Sequence, residues 1–124
     1  MKYVILIYGN PASRAAWQGF SDQERAAGLG IYAALNEDLN QSGEMIVSER
    51  LADPDMAKWV SVRDGATMTT DGPFAEVKEQ LAGFYLVDCD SFERAVQVAA
   101  RIPEAGFGIP VEVRPVYGLG GMEM

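Results

Sequence analysis

Tyr3-Val4-Ile5-Leu6-Ile7-Tyr8 is an unbroken apolar, β-rich run that Gly9-Asn10-Pro11 stops, and it reads as a strand. It lacks the apolar-polar alternation of a strand with one wet face, so both of its faces need cover. Leu81 to Val87 repeats the pattern. One face of each strand can be covered by helices of the same chain. The simplest cover for the other is a second copy packed sheet to sheet in a symmetric homodimer.

The elements between these strands set the topology. Ser21 and Glu24 form a capping box, after which Gly28, Tyr32, Leu35 and Leu39 recur at helical spacing until Ser42-Gly43, which predicts a helix from about Asp22 to Gln41. Gly28 and Gly30 weaken its intrinsic propensity and suggest a close approach by the sheet. Glu44 to Leu51 is a further strand. Lys58 to Arg63 alternates, and Asp64-Gly65 is a strong hairpin turn into Ala66 to Thr70. Asp90 with Glu93 reads as a cap for a second helix carrying Phe92, Ala95, Val96 and Ala99, which ends at Ile102-Pro103. Val111 to Val116 is a last strand, with Pro115 favouring an edge or terminal position. Strands with two helical crossovers in this order predict an α+β, ferredoxin-like (split βαβ) sheet with both helices on one face.

With 124 residues, the chain has room for one core of ordinary size. Residues 1–117 read as a single domain and the Gly-rich residues 118–124 as a loose tail. The formal charge of −8 disfavours a phosphate-binding surface, so no direct nucleic-acid partner is expected, and no membrane span is indicated. There is no histidine, which excludes Ser-His-Asp, Cys-His and His-metal sites within the chain. The single cysteine, Cys89, rules out an intrachain disulfide. No signal-peptide pattern starts at Met1, and a reducing cytoplasm is the expected location. No cofactor is called for, since Gly118-Leu119-Gly120-Gly121 precedes no helix and is not a dinucleotide loop.

The segment Thr70-Asp71-Gly72-Pro73-Phe74-Ala75-Glu76-Val77-Lys78-Glu79-Gln80-Leu81-Ala82-Gly83-Phe84-Tyr85 resembles the signature of the YCII-related family, in the branch named for its Asp-Gly-Pro-Phe (DGPF) motif. Lys2-Tyr3 to Ile7-Tyr8, Ala99-Ala100-Arg101-Ile102-Pro103 and Val111 to Val116 extend the resemblance to about Tyr117. It implies a dimeric α+β barrel of two ferredoxin-like subunits with facing sheets, and no known reaction. It also suggests a bacterial role beside extracytoplasmic-function sigma factors, with a sigma factor or related regulator as partner. Another branch is credited with a His-Asp catalytic pair, the histidine on the first helix and the aspartate just before the proline that follows the second. Here there is no histidine and Ile102 precedes Pro103, so that pair is absent.

Asp71-Gly72-Pro73 can close a tight turn with no chemistry, anchored by Phe74. Alternatively, the turn holds Asp71, Glu76, Lys78 and Glu79 at the mouth of a dimer pocket, where Asp71, its pKa raised by burial or a neighbouring carboxylate, is the candidate base. Lys78 between Glu76 and Glu79 reads as a solvated ion-pair partner, and no spacing there resembles a metal loop. Arg63, Glu112 and Arg114 should point away from the helical layer. In a shielded cavity, Arg63 and Arg114 would bind a small acidic metabolite, with Tyr8 and Tyr85 orienting it. Two functions follow: a dimeric, non-catalytic binding or accessory module, or a cofactor-free enzyme of proton transfer, isomerase- or lyase-like, with its site in the barrel.

Overall fold

The structure, a computed structural model, describes residues 1–72 and 78–118. Its elements in chain order are β1 (Lys2–Gly9), α1 (Pro11–Gln18), α2 (Asp22–Ser42), β2 (Met45–Arg50), β3 (Lys58–Arg63), β4 (Ala66–Asp71), β5 (Gln80–Asp88), α3 (Phe92–Ala100), α4 (Pro103–Gly106) and β6 (Val111–Pro115). Four strands form an antiparallel sheet in the order β2-β5-β1-β6, the ferredoxin-like arrangement. Pro115 ends the edge strand β6.

Burial alternates along the two central strands. Tyr3, Ile5 and Ile7 on β1 and Tyr85 and Val87 on β5 are buried, together with Leu35 and Leu39 of α2, Ala95, Val98 and Ala99 of α3, and Ile102. The helical layer therefore covers one face. On the other, Val4 pairs with Leu86 and Leu6 with Phe84, all half-buried. Charged residues flank this apolar centre, with Glu49 opposite Phe84 on one side and Glu112 and Arg114 opposite Leu6 and Val4 on the other. The continuous apolar runs thus feed two faces.

β3 and β4 pair only with each other and form a separate hairpin outside the four-stranded sheet. Its turn has Asp64 at φ 52° and Gly65 at φ 78°, the positive values that a two-residue turn matching strand twist requires. Gly72, at φ 74°, leaves β4, and its N–H donates to the Ala57 carbonyl at 2.8 Å.

Three expectations need correction. Gly9-Asn10-Pro11 not only ends β1 but starts α1: Asn10 Oδ1 accepts from the Ser13 N–H at 2.8 Å, the Asn10 N–H donates to Ser13 Oγ at 2.9 Å, and Pro11 occupies the first helical turn. The cap of α3 is Ser91, which accepts from the Arg94 N–H at 3.1 Å, because the helix begins one residue later than the Asp90–Glu93 pairing assumed. The glycines of α2 do not meet the sheet: Gly28 lies against the Trp17 ring of α1, and Gly30 faces open space. The close approach falls instead at Gly83, where a Cβ would stand 2.9 Å from the Glu49 carbonyl oxygen. Pro73, Phe74, Glu76 and residues 119–124 lie outside the described residues. Among the described residues, no helix is long and apolar enough to cross a membrane.

Candidate functional site

The residues singled out as ligand and base candidates fall in three places. Tyr8 and Arg114 share the open face of the sheet, joined by Glu112: the Tyr8 hydroxyl donates to Glu112 Oε1 at 2.9 Å, and Arg114 Nε donates to Glu112 Oε2 at 2.7 Å. Burial first and then the Glu112 hydrogen bond raise the Tyr8 pKa, while the Arg114 hydrogen bond chiefly lowers that of Glu112. The Arg114 guanidinium is thus already engaged by an internal carboxylate. Arg63 and Asp71 stand on the hairpin, exposed. Asp71 forms a 2.7 Å ion pair with Lys58 at the hairpin base, its side chain 81% exposed. Lys78 is exposed, and the half-buried Glu79 accepts from Asn10 Nδ2 at 3.4 Å.

Tyr85 points the other way, into the helical layer. Its hydroxyl donates to Asn36 Oδ1 of α2. One turn earlier on α2, the half-buried Tyr32 donates to Glu104, with its oxygen 2.7 Å from Oε1 and also against Oε2. Two features place Glu104: Ile102 is buried in the core, and Pro103 starts the short α4, fixing the backbone just before the carboxylate. Burial first, then the hydrogen bond and charge of Glu104, push the Tyr32 phenol far up. Burial and then the Glu104 charge also raise Tyr85. Both phenols therefore stay protonated and act as donors, Tyr32 to the Glu104 carboxylate and Tyr85 to the Asn36 amide oxygen.

The cation of this cluster is Arg50. It ends β2 on the helix-side face, opposite Gly83, with its guanidinium 5.7 Å above the Trp17 ring, a cation–π arrangement. Trp17 is held by Gly28 and by an edge contact with Phe20. Arg50 makes no ion pair among the described residues, and its charge weakly opposes the upward push that burial and Glu104 give the Tyr32 phenol. An exposed guanidinium thus stands on the same face of the sheet as the phenol-carboxylate pair. Sequence reasoning singled out none of Tyr32, Asn36, Arg50 or Glu104 as functional. Tyr32 shares its spacing with Leu35 and Leu39 and reads as core, while the carboxylate directly after Pro103 was the available signal.

An antiparallel ferredoxin-like sheet with one helical layer and a phenol-carboxylate pair on the helix side defines an α+β domain. The chain belongs to the family of YCII-related domains, whose model matches residues 1–118. It is 33% identical over 117 residues to an uncharacterised protein of Rhizobium meliloti (strain 1021), covering 94% of this chain and 92% of that one. Among solved structures it is similar in fold to 5-chloro-2-hydroxyhydroquinone dehydrochlorinase from Burkholderia phenoliruptrix AC1100, in complex with 2,5-dihydroxybenzoquinone. That likeness has a TM-score of 0.53 at 15% identity and covers 98% of this chain and 99% of the other. The His-Asp pair of the other branch is absent, but on the long helix and beside the proline after α3 stand Tyr32 and Glu104.

Proposed function

We infer that the chain is a homodimeric, cofactor-independent enzyme that binds a small acidic metabolite on the helix side of the sheet and moves a proton within it. The observation that carries this reading is the half-buried Tyr32–Glu104 hydrogen bond beside an Arg50 without an ion-pair partner among the described residues. Arg50 pairs with an anionic oxygen of the ligand. Glu104 removes a proton from carbon next to a carbonyl, and the C–H electrons pass into the carbonyl as an enolate whose charge faces Arg50. The proton then returns from Glu104 to a different atom, which is isomerisation, or the enolate expels a leaving group with its electron pair, which is elimination. Tyr32 orients the carboxylate, and Tyr85 with Asn36 fixes the neighbouring wall.

That a protein of similar fold is a dehydrochlorinase is in keeping with elimination chemistry. The apolar Val4, Leu6, Phe84 and Leu86 centre of the open face supports the sheet-to-sheet dimer, and Asp71-Gly72-Pro73-Phe74 supports the DGPF branch. The accessory role beside a sigma factor rests on the family resemblance alone. The catalytic reading is tested by thermal-shift titration of the protein with benzoate and with 2,5-dihydroxybenzoquinone. A stabilisation in the wild type that is lost in Arg50→Ala and kept in Glu104→Gln, where a neutral amide replaces the base without removing the anion's partner, supports it. Equal stabilisation in all three, or none in any, overturns it.

A further inference from the structure

The β3–β4 hairpin is built like an arm. Its six register pairs, from Lys58↔Asp71 to Arg63↔Ala66, are uninterrupted, and the turn at Asp64-Gly65 has the twist the strands need. All twelve of its strand residues are exposed. One face is β-branched, with Val60 64% and Val62 69% exposed opposite Thr69 and Thr67. A lone two-stranded ribbon is marginal in water, and its exposed valines invite cover.

The surface area leaves room for such cover. The chain exposes 8354 Å², whereas a compact monomer of 13.5 kDa would expose about 6,500 Å². The excess, roughly 1,800 Å² with the residues outside the described ones included, is large enough to contain the face that a subunit of a homodimer buries. Charge favours a second copy as the occupant. The arm carries two cations, Lys58 and Arg63, and two carboxylates, Asp64 and Asp71, so it is neutral within a chain of net charge −8. It can approach an identical acidic body without repulsion. Lys58 is tied to Asp71, whereas Arg63 makes no ion pair among the described residues and is available to that body's carboxylates. The arm leaves the sheet from the Arg50 end of β2, beside the Gln80 end of β5.

We propose that the β3–β4 hairpin reaches across the dimer and lays its Val60–Val62 face on the second copy, locking the two sheets together. The inference rests on the homodimer reading and adds the arm to it. The test is sedimentation equilibrium of the full chain and of its V60E/V62E variant at micromolar concentrations. The expected result is a wild-type dimer and a dissociation constant raised about 100-fold in the variant, the scale of a lost central contact. A wild-type dimer with unchanged association in the variant overturns the arm and leaves the sheet-to-sheet dimer standing. A wild-type monomer overturns both. Hydrogen exchange on the unaltered protein gives a second readout if the variant does not fold. Arm amides that exchange more slowly in the dimer than on dilution support the arm, and equal exchange in both overturns it.

Discussion

Tyr8 and Tyr85 stand on neighbouring strands of one sheet yet on its opposite faces: Tyr8 bonds Glu112 on the open side, and Tyr85 bonds Asn36 within the helical layer. Strand alternation enforces this division, since Tyr85 pairs with Ile5 and Tyr8 with Leu81. Tyr85 therefore lies on the same side of the sheet as the Tyr32–Glu104 pair, and Tyr8 does not. Tyr8 instead belongs to the rim of the open face, beside Glu112 and Arg114.

Tyr32→Phe removes the only donor from α2 to Glu104 among the described hydrogen bonds while keeping the ring against the core. The loss is one hydrogen bond to a charged acceptor, so a stability decrease of about 1–2 kcal/mol is expected in urea unfolding. In the thermal-shift assay the variant is expected to retain part of the ligand-induced stabilisation, because Arg50 still binds the anion. Glu104→Gln is expected to abolish turnover outright. A Tyr32→Phe protein as stable as wild type would mean the phenol-carboxylate bond contributes nothing to the fold.

Asp71→Asn separates the two candidate bases. The Lys58–Asp71 pair is exposed at both ends, with side chains 66% and 81% accessible. Its removal is expected to change stability by less than about 0.5 kcal/mol. Ligand-induced stabilisation should be unchanged if Glu104 is the base. Loss of turnover with stability intact would return the role to the Asp-Gly turn.

The strands and α2 were legible in the sequence because their signals are local: continuous apolar runs, a capping box at Ser21 and Glu24, and Asp-Gly at the hairpin turn. The candidate site was not, for two physical reasons. Tyr32 has an apolar body at core spacing, and only its hydroxyl distinguishes it from a packing residue. Its carboxylate lies 72 positions away, brought near by the crossover topology, which no periodicity encodes. The face that Tyr85 presents depends on a strand register fixed by its neighbours. Arg50 is hidden in the same way, in a polar Ser48-Glu49-Arg50 stretch whose direction only the pairing with β5 decides.

Gly83→Ala probes that pairing. The added Cβ would meet the Glu49 carbonyl oxygen at 2.9 Å, a backbone atom that cannot swing aside as a side chain would. β2 must shift away from β5, which carries Arg50 with it. A destabilisation of about 1–3 kcal/mol is expected from denaturant midpoints, the usual cost of overpacking. The displaced Arg50 should weaken ligand binding in the same variant. A Gly83→Ala protein of wild-type stability would show that β2 and β5 are less closely apposed than this register requires.

Glu44 and Arg94 provide the acid-sensitive lock between the start of β2 and α3. Arg94 donates through Nε to Glu44 Oε2 at 2.9 Å and through a second nitrogen to Oε1 at 2.8 Å, and Ser42 adds a hydroxyl bond at 2.7 Å. The Arg94 hydrogen bonds, more than any other cause, hold the Glu44 carboxyl at about 2, against an ordinary value of 4.5. A carboxylate depressed in the folded state stabilises it fully above the ordinary value. That contribution is lost as pH falls from 4.5 toward about 2. With the guanidinium side chain 38% exposed, solvent screening reduces the contribution to about 1 kcal/mol. Urea midpoints measured between neutral pH and pH 3 should therefore fall more steeply for the wild type than for Arg94→Ala, which has lost the depressed group. Parallel curves for the two proteins would mean that the pair forms without stabilising the fold.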